Sequence, residues 1–392
     1  MLSIPTKYEL ASSSWDQAEL DAIARVIKSD SYTMGEQVAE FERAFAEKFG
    51  AKYAVMVNSG SSANLLAVAA LFYKSDSPLK AGDEVIVPSL SWSTTYYPLH
   101  QYGLKQVFVD IDVETLNLDV MKLEAALSEK TRAIFIPNIL GNPAALDEID
   151  KFCKQHGLYL LEDNCESMGA ELNNKSAGTF GLVGTFSTFF SHHIATMEGG
   201  VVTTDDEEIY HLLLCLRSHG WTRHLPEKNL LCKKDTNPFY ESFRFILPGY
   251  NVRPTEMSGA IGLEQLKKLD SFVCERRKNA EYMRFIFESD PRFYLQKENG
   301  SSSWFGFSFV LKDGGKNQRD KIVDKLYRNG IAVRPVVSGN FLKNEVLKYM
   351  DHRIVGEHRS SELIDQNGFF VGNHHYEIKE QLDYLKEVLS EI

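Results

Sequence analysis

Four short stretches hold residue types that could do chemistry. In VNSGSSANLL an apolar strand ends at Val57, a Ser/Gly turn follows, and a helix begins near Ser61. Free backbone N–H groups and the helix dipole at such a junction bind phosphate. The same pattern also makes an ordinary N-capped helix. In LYLLEDNCES, Asp163 closes a buried strand, the end at which open α/β sheets bind ligands. A carboxylate there can keep a ring nitrogen protonated, or simply cap the next turn. In PSLSWSTTYYP, Trp92 follows the EVIVP run in a hydroxyl-rich turn. Its ring can stack on a flat ligand or fill the core. In FSTFFSHHIATMEGG, Ser187 lies five residues before His192, and Gly199-Gly200 leads into VVTT. His192 and His193 make a poor metal pair, because neighbours on a strand point to opposite faces.

These stretches need elements to bring them together. Apolar, β-branched runs recur at Tyr53–Val57, Glu84–Pro88, Gln106–Asp110, Ala133–Pro137 and Leu158–Asp163. Helix-like segments such as SSANLLAVAALF and LDEIDKFCKQHG separate them. Continuous apolar strands alternating with helices predict a mostly parallel sheet covered on both faces. SWDQAELDAIARVI predicts an early helix, with Ser14 and Gln17 as its capping box. The alternation fades near Gly262. Beyond it come a long charged helical pattern, a strand-like SSSWFGFSFVL and the helix-to-strand KIVDKLYRNGIAVRP. The expectation is a large domain over residues 1–262 and a smaller C-terminal α+β domain over 263–392.

Composition narrows the function classes. With 43% hydrophobic and 25% charged residues the chain reads as an ordinary soluble protein. A net charge of -11 disfavours nucleic-acid binding, which wants a basic face. Cys153, Cys165, Cys215, Cys232 and Cys274 are too far apart in sequence for a clustered zinc or iron–sulfur site. There is no signal-like N-terminus and no membrane-length apolar run, so the expected location is the cytoplasm.

Together the four stretches resemble the aspartate-aminotransferase-like fold (fold type I) of pyridoxal phosphate (PLP) enzymes. Within it they resemble the sugar aminotransferase family that acts on nucleotide-linked keto sugars. YTMGEQVAEFERAFAEKFG and GYNVRPTEMSGAIGLEQLKKL extend the likeness to nearly the whole chain. The resemblance implies an α/β large domain with a mostly parallel seven-stranded sheet. It implies that Ser61, Ser62 and Ser187 hold the cofactor phosphate, that Trp92 stacks on the ring, and that Asp163 pairs with the ring nitrogen. Glu166 stands near the ring hydroxyl, where many relatives carry Gln or His. Asn251 would reach the phosphate in a partner subunit, which implies a homodimer with shared active sites. His219 and Arg334 are the candidates for substrate contact. Arg334 could hold the carboxylate of glutamate or form a surface ion pair. Ser191 precedes the catalytic position and shapes the loop. No local pattern identifies residues that read the nucleotide base.

The family loop offers a lysine to the cofactor aldehyde, and this chain has His192 there. Imidazole cannot keep that covalent anchor, yet it moves protons near neutral pH. The cofactor is then expected as untethered PLP or as pyridoxamine phosphate (PMP), formed with L-glutamate. Such chemistry can expel a hydroxyl next to the ketone of a 4-keto sugar. The resemblance therefore narrows to the lysine-less sugar 3-dehydratases, on the GDP-sugar branch that leads to dideoxy sugars such as colitose. Closely spaced cysteines mark the iron–sulfur branch and are absent. The competing readings are an aminotransferase on a nucleotide-linked 4-keto sugar and a non-catalytic sensor of the same fold. Retention of Asp163, Trp92, Ser187 and Asn251 speaks against the sensor, which needs no electron sink.

Overall fold

The structure is a computed structural model describing residues 7–391. Among the described residues fourteen strands form three sheets. In chain order, the first five are β1 (Tyr53–Val57), β2 (Glu84–Pro88), β3 (Lys105–Val109), β4 (Thr131–Pro137) and β5 (Tyr159–Asp163). A short hairpin, β6 (Glu171–Leu172) and β7 (Lys175–Ser176), precedes β8 (Val183–Ser187) and β9 (Gly200–Thr204). The remainder are β10 (Phe293–Leu295), β11 (Gly306–Leu311), β12 (Val333–Arg334), β13 (His352–Ile354) and β14 (Gly368–Gly372).

The main sheet has the order β1-β9-β8-β5-β4-β2-β3-β13. Only β9 runs against the rest, pairing antiparallel with both β1 and β8. Its strands are buried almost throughout, as their continuous apolar sequences require. The expected seven strands are joined by an eighth, β13, which returns from the C-terminal part to pair with β3. Its three residues, His352, Arg353 and Ile354, carry no strand pattern that sequence could reveal.

Helix Gly60–Tyr73 is apolar on every side and lies within the core between the sheet and helix Glu207–Arg217. The N-cap expected at Ser14 falls two residues later, at Asp16, and the helix starts at Gln17. Asp16 and Glu19 form its capping box. Ser14 turns away and donates instead to Gln265 Oε1 at 2.6 Å, a partner that only tertiary folding supplies.

The boundary expected at 262 falls inside the 32-residue helix Glu256–Phe287. Gly259 and Gly262 let this helix press on Val38 and Phe41 of helix Glu36–Phe49. Beyond the helix, β10, β11, β14 and β12 make a four-stranded antiparallel sheet with its own core around Phe307, Phe309, Phe369 and Val371. Tyr8 joins that second core, and the backbone of Lys7 and Tyr8 donates to Gly330 O. Among the described residues no helix is long and apolar enough to cross a membrane.

Candidate active site

A cavity of about 920 Å³ opens where the C-terminal ends of β4 and β5 meet the second sheet. Asp163, the last residue of β5, lies on its floor and is nearly buried. Its Oδ2 accepts from Asn64 Nδ2 and from Thr95 Oγ1, both at 2.8 Å, and its Oδ1 accepts from Cys165 N at 3.1 Å. Hydrogen bonds to a charged group contribute about 1.5–3 kcal/mol each, so the carboxylate is held in one orientation.

The N-terminus of helix Gly60–Tyr73 forms one wall. Ser59 is its N-cap, accepting from Ser62 N at 3.1 Å. Ser61 faces the cavity, while the Ser62 hydroxyl turns to Ser59 Oγ at 3.0 Å and does not line it. Ser187, at the end of β8, stands against Gly60. A Cβ on Gly60 would lie 2.6 Å from Ser187 Cβ and 2.9 Å from Cys165 Sγ. Serine hydroxyls around a helix N-terminus thus form a tight cradle suited to a phosphate. Trp92 is 57% exposed and lines the cavity, with its ring free to take a flat ligand. The donor set fits a phosphorylated pyridine: an anion cradle, an aromatic face and a fixed carboxylate.

His192 lies on the cavity wall in the loop between β8 and β9. Its ring packs edge-on against Phe189 and Phe305, with centroids at 5.9 and 5.2 Å. Ser191 Oγ lies 3.4 Å from Nδ1. Burial, helped by the charge of Arg276, pushes its pKa down to about 4, so the imidazole is neutral at physiological pH. Thr188 and Thr196 join hydroxyls across the base of the loop. Ala195 N donates to Gln265 at 3.0 Å, and Ala195 O accepts from Trp15 Nε1 at 2.8 Å. His193 points inward and meets Ser303 O through Nε2 at 3.0 Å.

Glu166 also lines the cavity and accepts from Leu140 N at 2.9 Å. Burial, with the nearby Asp163 charge, raises its pKa to about 7. Arg334 extends from β12 into the opposite wall. No lysine lines the cavity among the described residues.

His219 and Asn251 do not line this chain's cavity. His219 packs against Trp221 at 5.0 Å between centroids. Asn251 is exposed and accepts from Arg253 Nε at 3.0 Å. Sequence reasoning missed Asn64, Thr95, Ser59, Phe305 and the Glu9–Ala11 segment of the wall. Asn64 did leave a signal: it is the one amide side chain inside an otherwise apolar helix.

The sequence profile of the DegT/DnrJ/EryC1/StrS aminotransferase family matches residues 13–375. The chain belongs to this family. The chain is 58% identical over 392 residues, covering 100% of both chains, to GDP-4-keto-6-deoxy-D-mannose 3-dehydratase of Yersinia pseudotuberculosis. A solved GDP-4-keto-6-deoxymannose-3-dehydratase with a trapped PLP-glutamate geminal diamine superposes with a TM-score of 0.96. It is 58% identical, and the match covers 98% of this chain and 100% of that one. The E. coli enzyme with bound hydrated PLP gives a TM-score of 0.96 at 57% identity, with coverage of 98% and 100%. In a family named for aminotransferases, the cavity of this chain has no lysine in its wall among the described residues.

Proposed function

We propose that the protein removes the C3 hydroxyl of a GDP-linked 4-keto-6-deoxyhexose, giving GDP-4-keto-3,6-dideoxymannose. It is a lyase with an aminotransferase half-reaction. L-Glutamate is consumed, and 2-oxoglutarate and ammonia are released. The oxygen lost by the sugar balances the one gained when glutamate becomes 2-oxoglutarate and ammonia. The observation that carries this reading is His192 on the cavity wall with no lysine beside it. The 58% identity to the Yersinia dehydratase over the whole chain supports the same substrate class.

When bound, PLP and its amino form PMP supply an electron sink and carry the amino group, with no covalent link to the protein. Asp163 keeps the ring nitrogen protonated, and Asn64 and Thr95 hold that carboxylate in place. Ser61, Ser187 and the helix N-terminus take the phosphate, with Ser62 completing the cap through Ser59. Trp92 would cover the ring and Glu166 would stand near its hydroxyl, both from the cavity lining. His192 accepts the carbon-bound proton at Nε2, the nitrogen away from Ser191, and returns a proton to the departing hydroxyl. Arg334 receives a carboxylate or phosphate of the substrates.

The working unit in this reading is a homodimer. Asn251 and His219 lie outside their own cavity, and a nearby stretch displays Phe239, Tyr240, Phe243 and Phe245 to solvent. A second copy would cover these rings and receive Asn251 at its phosphate. A cytoplasmic setting suits a soluble nucleotide-linked substrate.

The deciding experiment incubates the protein with PLP, L-glutamate and GDP-4-keto-6-deoxymannose. Ammonia, 2-oxoglutarate and a sugar nucleotide lighter by one oxygen are expected. An amino sugar as the product would replace the dehydratase by a transaminase.

A further inference from the structure

A buried cation stands behind His192 with no anion to match it. Arg276 lies in helix Glu256–Phe287 and is 5% exposed. Its Nη1 donates to Asn373 O at 2.7 Å, Phe305 O at 3.2 Å and Trp304 O at 3.4 Å. Its Nε has no hydrogen-bond partner, and among the described residues it forms no ion pair with a carboxylate. Burying an unpaired charge is costly, and an apolar residue would fill the same space at less cost.

The peptide held by Arg276 is the wall against which His192 packs. The Phe305 ring lies 5.2 Å from the His192 ring and 5.9 Å from that of His193. Trp304 is in the left-handed region at φ 48°, an uncommon state for a bulky residue. Three sets of contacts hold it there. Asn373 Nδ2 donates to Trp304 O at 2.9 Å, Phe305 N donates to Leu140 O at 2.9 Å, and Arg276 closes the remaining side.

We propose, resting on the reading of His192 as the base, that Arg276 is a positioning residue for it. Arg276 fixes the Trp304–Phe305 wall against the imidazole and, as an uncompensated cation behind it, holds that ring in its neutral, proton-accepting form.

The charges around the ring divide by side. The cavity wall carries Asp163, Glu166, Glu198 and Arg334, and Glu9 lies on the same lining. Behind the ring stand His193, Arg276 and Arg277, with His374 and His375 near the same guanidinium. Carboxylates favour an imidazolium in general, but at His192 burial is the larger cause and Arg276 adds to it, and together they hold the ring at about 4. Once His192 has taken a proton, repulsion from Arg276 makes the imidazolium a stronger acid. It then gives the proton up to the leaving hydroxyl more readily.

The test follows [13C]histidine-labelled holoenzyme by NMR across pH, with the His192 signal identified by its loss in His192→Asn. Wild-type His192 is expected to titrate well below free imidazole. In Arg276→Met its midpoint should rise by about one pH unit, and the acid limb of kcat should rise with it. Arg276→Lys keeps the charge and loses the fork of donors, so its midpoint should stay low while kcat falls. A wild-type midpoint at or above about 6.5 overturns the proposal without any variant. So does an Arg276→Met enzyme whose kcat drops equally at every pH with the midpoint unmoved, since that is the signature of a wall prop alone. Should Arg276→Met not fold, the wild-type midpoint and the comparison of Arg276→Lys with Arg276→Gln still decide. Full dehydration by His192→Asn would instead remove His192 as the base and leave the titration result standing.

Discussion

In the proposed reaction His192 is the proton mover and Asp163 the fixed carboxylate, and each role can be tested alone. Asp163 accepts three hydrogen bonds, two from side chains placed for it on separate helices. Asp163→Asn removes the partner of the ring nitrogen, so both half-reactions should slow on the order of 100-fold or more in single-turnover assays. Unchanged rates would take Asp163 out of the mechanism. His192→Lys should restore a covalent anchor, visible as new absorption on adding PLP, and should abolish dehydration. A variant that still dehydrates the sugar at the parent rate would sink the assigned role of His192. Glu166 differs from both: a group held at about 7 by burial and Asp163 is shared between two protonation states near neutrality.

At the scale of elements, the site depends on close approaches that only glycine permits. The N-terminus of helix Gly60–Tyr73 meets the end of β8 with no room for a methyl group. Gly60→Ala places Cβ 2.6 Å from Ser187 Cβ, so one element must shift. The expected cost is about 1–3 kcal/mol in stability, with a PLP dissociation constant raised about tenfold or more. Equilibrium dialysis and a denaturant melt measure the two, and wild-type affinity in the variant would refute the cradle. Gly141 shows the same logic under the His192 wall. It sits at φ 89°, and a Cβ there would lie 2.5 Å from Trp304 N.

For the whole molecule, buried and half-buried histidines couple folding to pH. His192, His224 and His374 are each pushed down to about 4, chiefly by burial, and His193 is held low for the same reason. In the unfolded chain each titrates near its ordinary value of about 6.5. Between those values the unfolded state binds more protons, so stability is full above about pH 6.5 and is lost as pH falls toward 4. Denaturant midpoints should drop steadily over that range, and His374→Gln should flatten the slope. A midpoint that does not move would contradict neutral buried imidazoles. Assembly is the second property at this scale. Phe239 is 81% exposed and Phe243 66%, an apolar patch that the proposed second copy would cover. The double variant Phe239→Asp, Phe243→Asp should run as a monomer by light scattering and bind PLP more weakly. A dimer with unchanged affinity would place the interface elsewhere.

The sequence by itself determined the chemistry and the class of fold. Strands whose middles are continuously apolar suit the inside of a covered parallel sheet, so the alternation of β1 to β5 with helices was readable without coordinates. His192, Asp163, Trp92, Ser61, Ser187, Glu166 and Arg334 all line one cavity; residue types and spacing marked the first five, and the family resemblance added Glu166 and Arg334. Tertiary structure decided what depends on residues far apart in the chain. Ser14 gave up its cap to Gln265, the short strand β13 found an edge on β3, and Asn64 and Thr95 converged on Asp163. Arg276 came to lie behind His192 through Phe305. None of these contacts has a periodicity or a local motif. Each exists because packing a long helix and a second sheet against the first removes water and leaves polar groups to find distant partners.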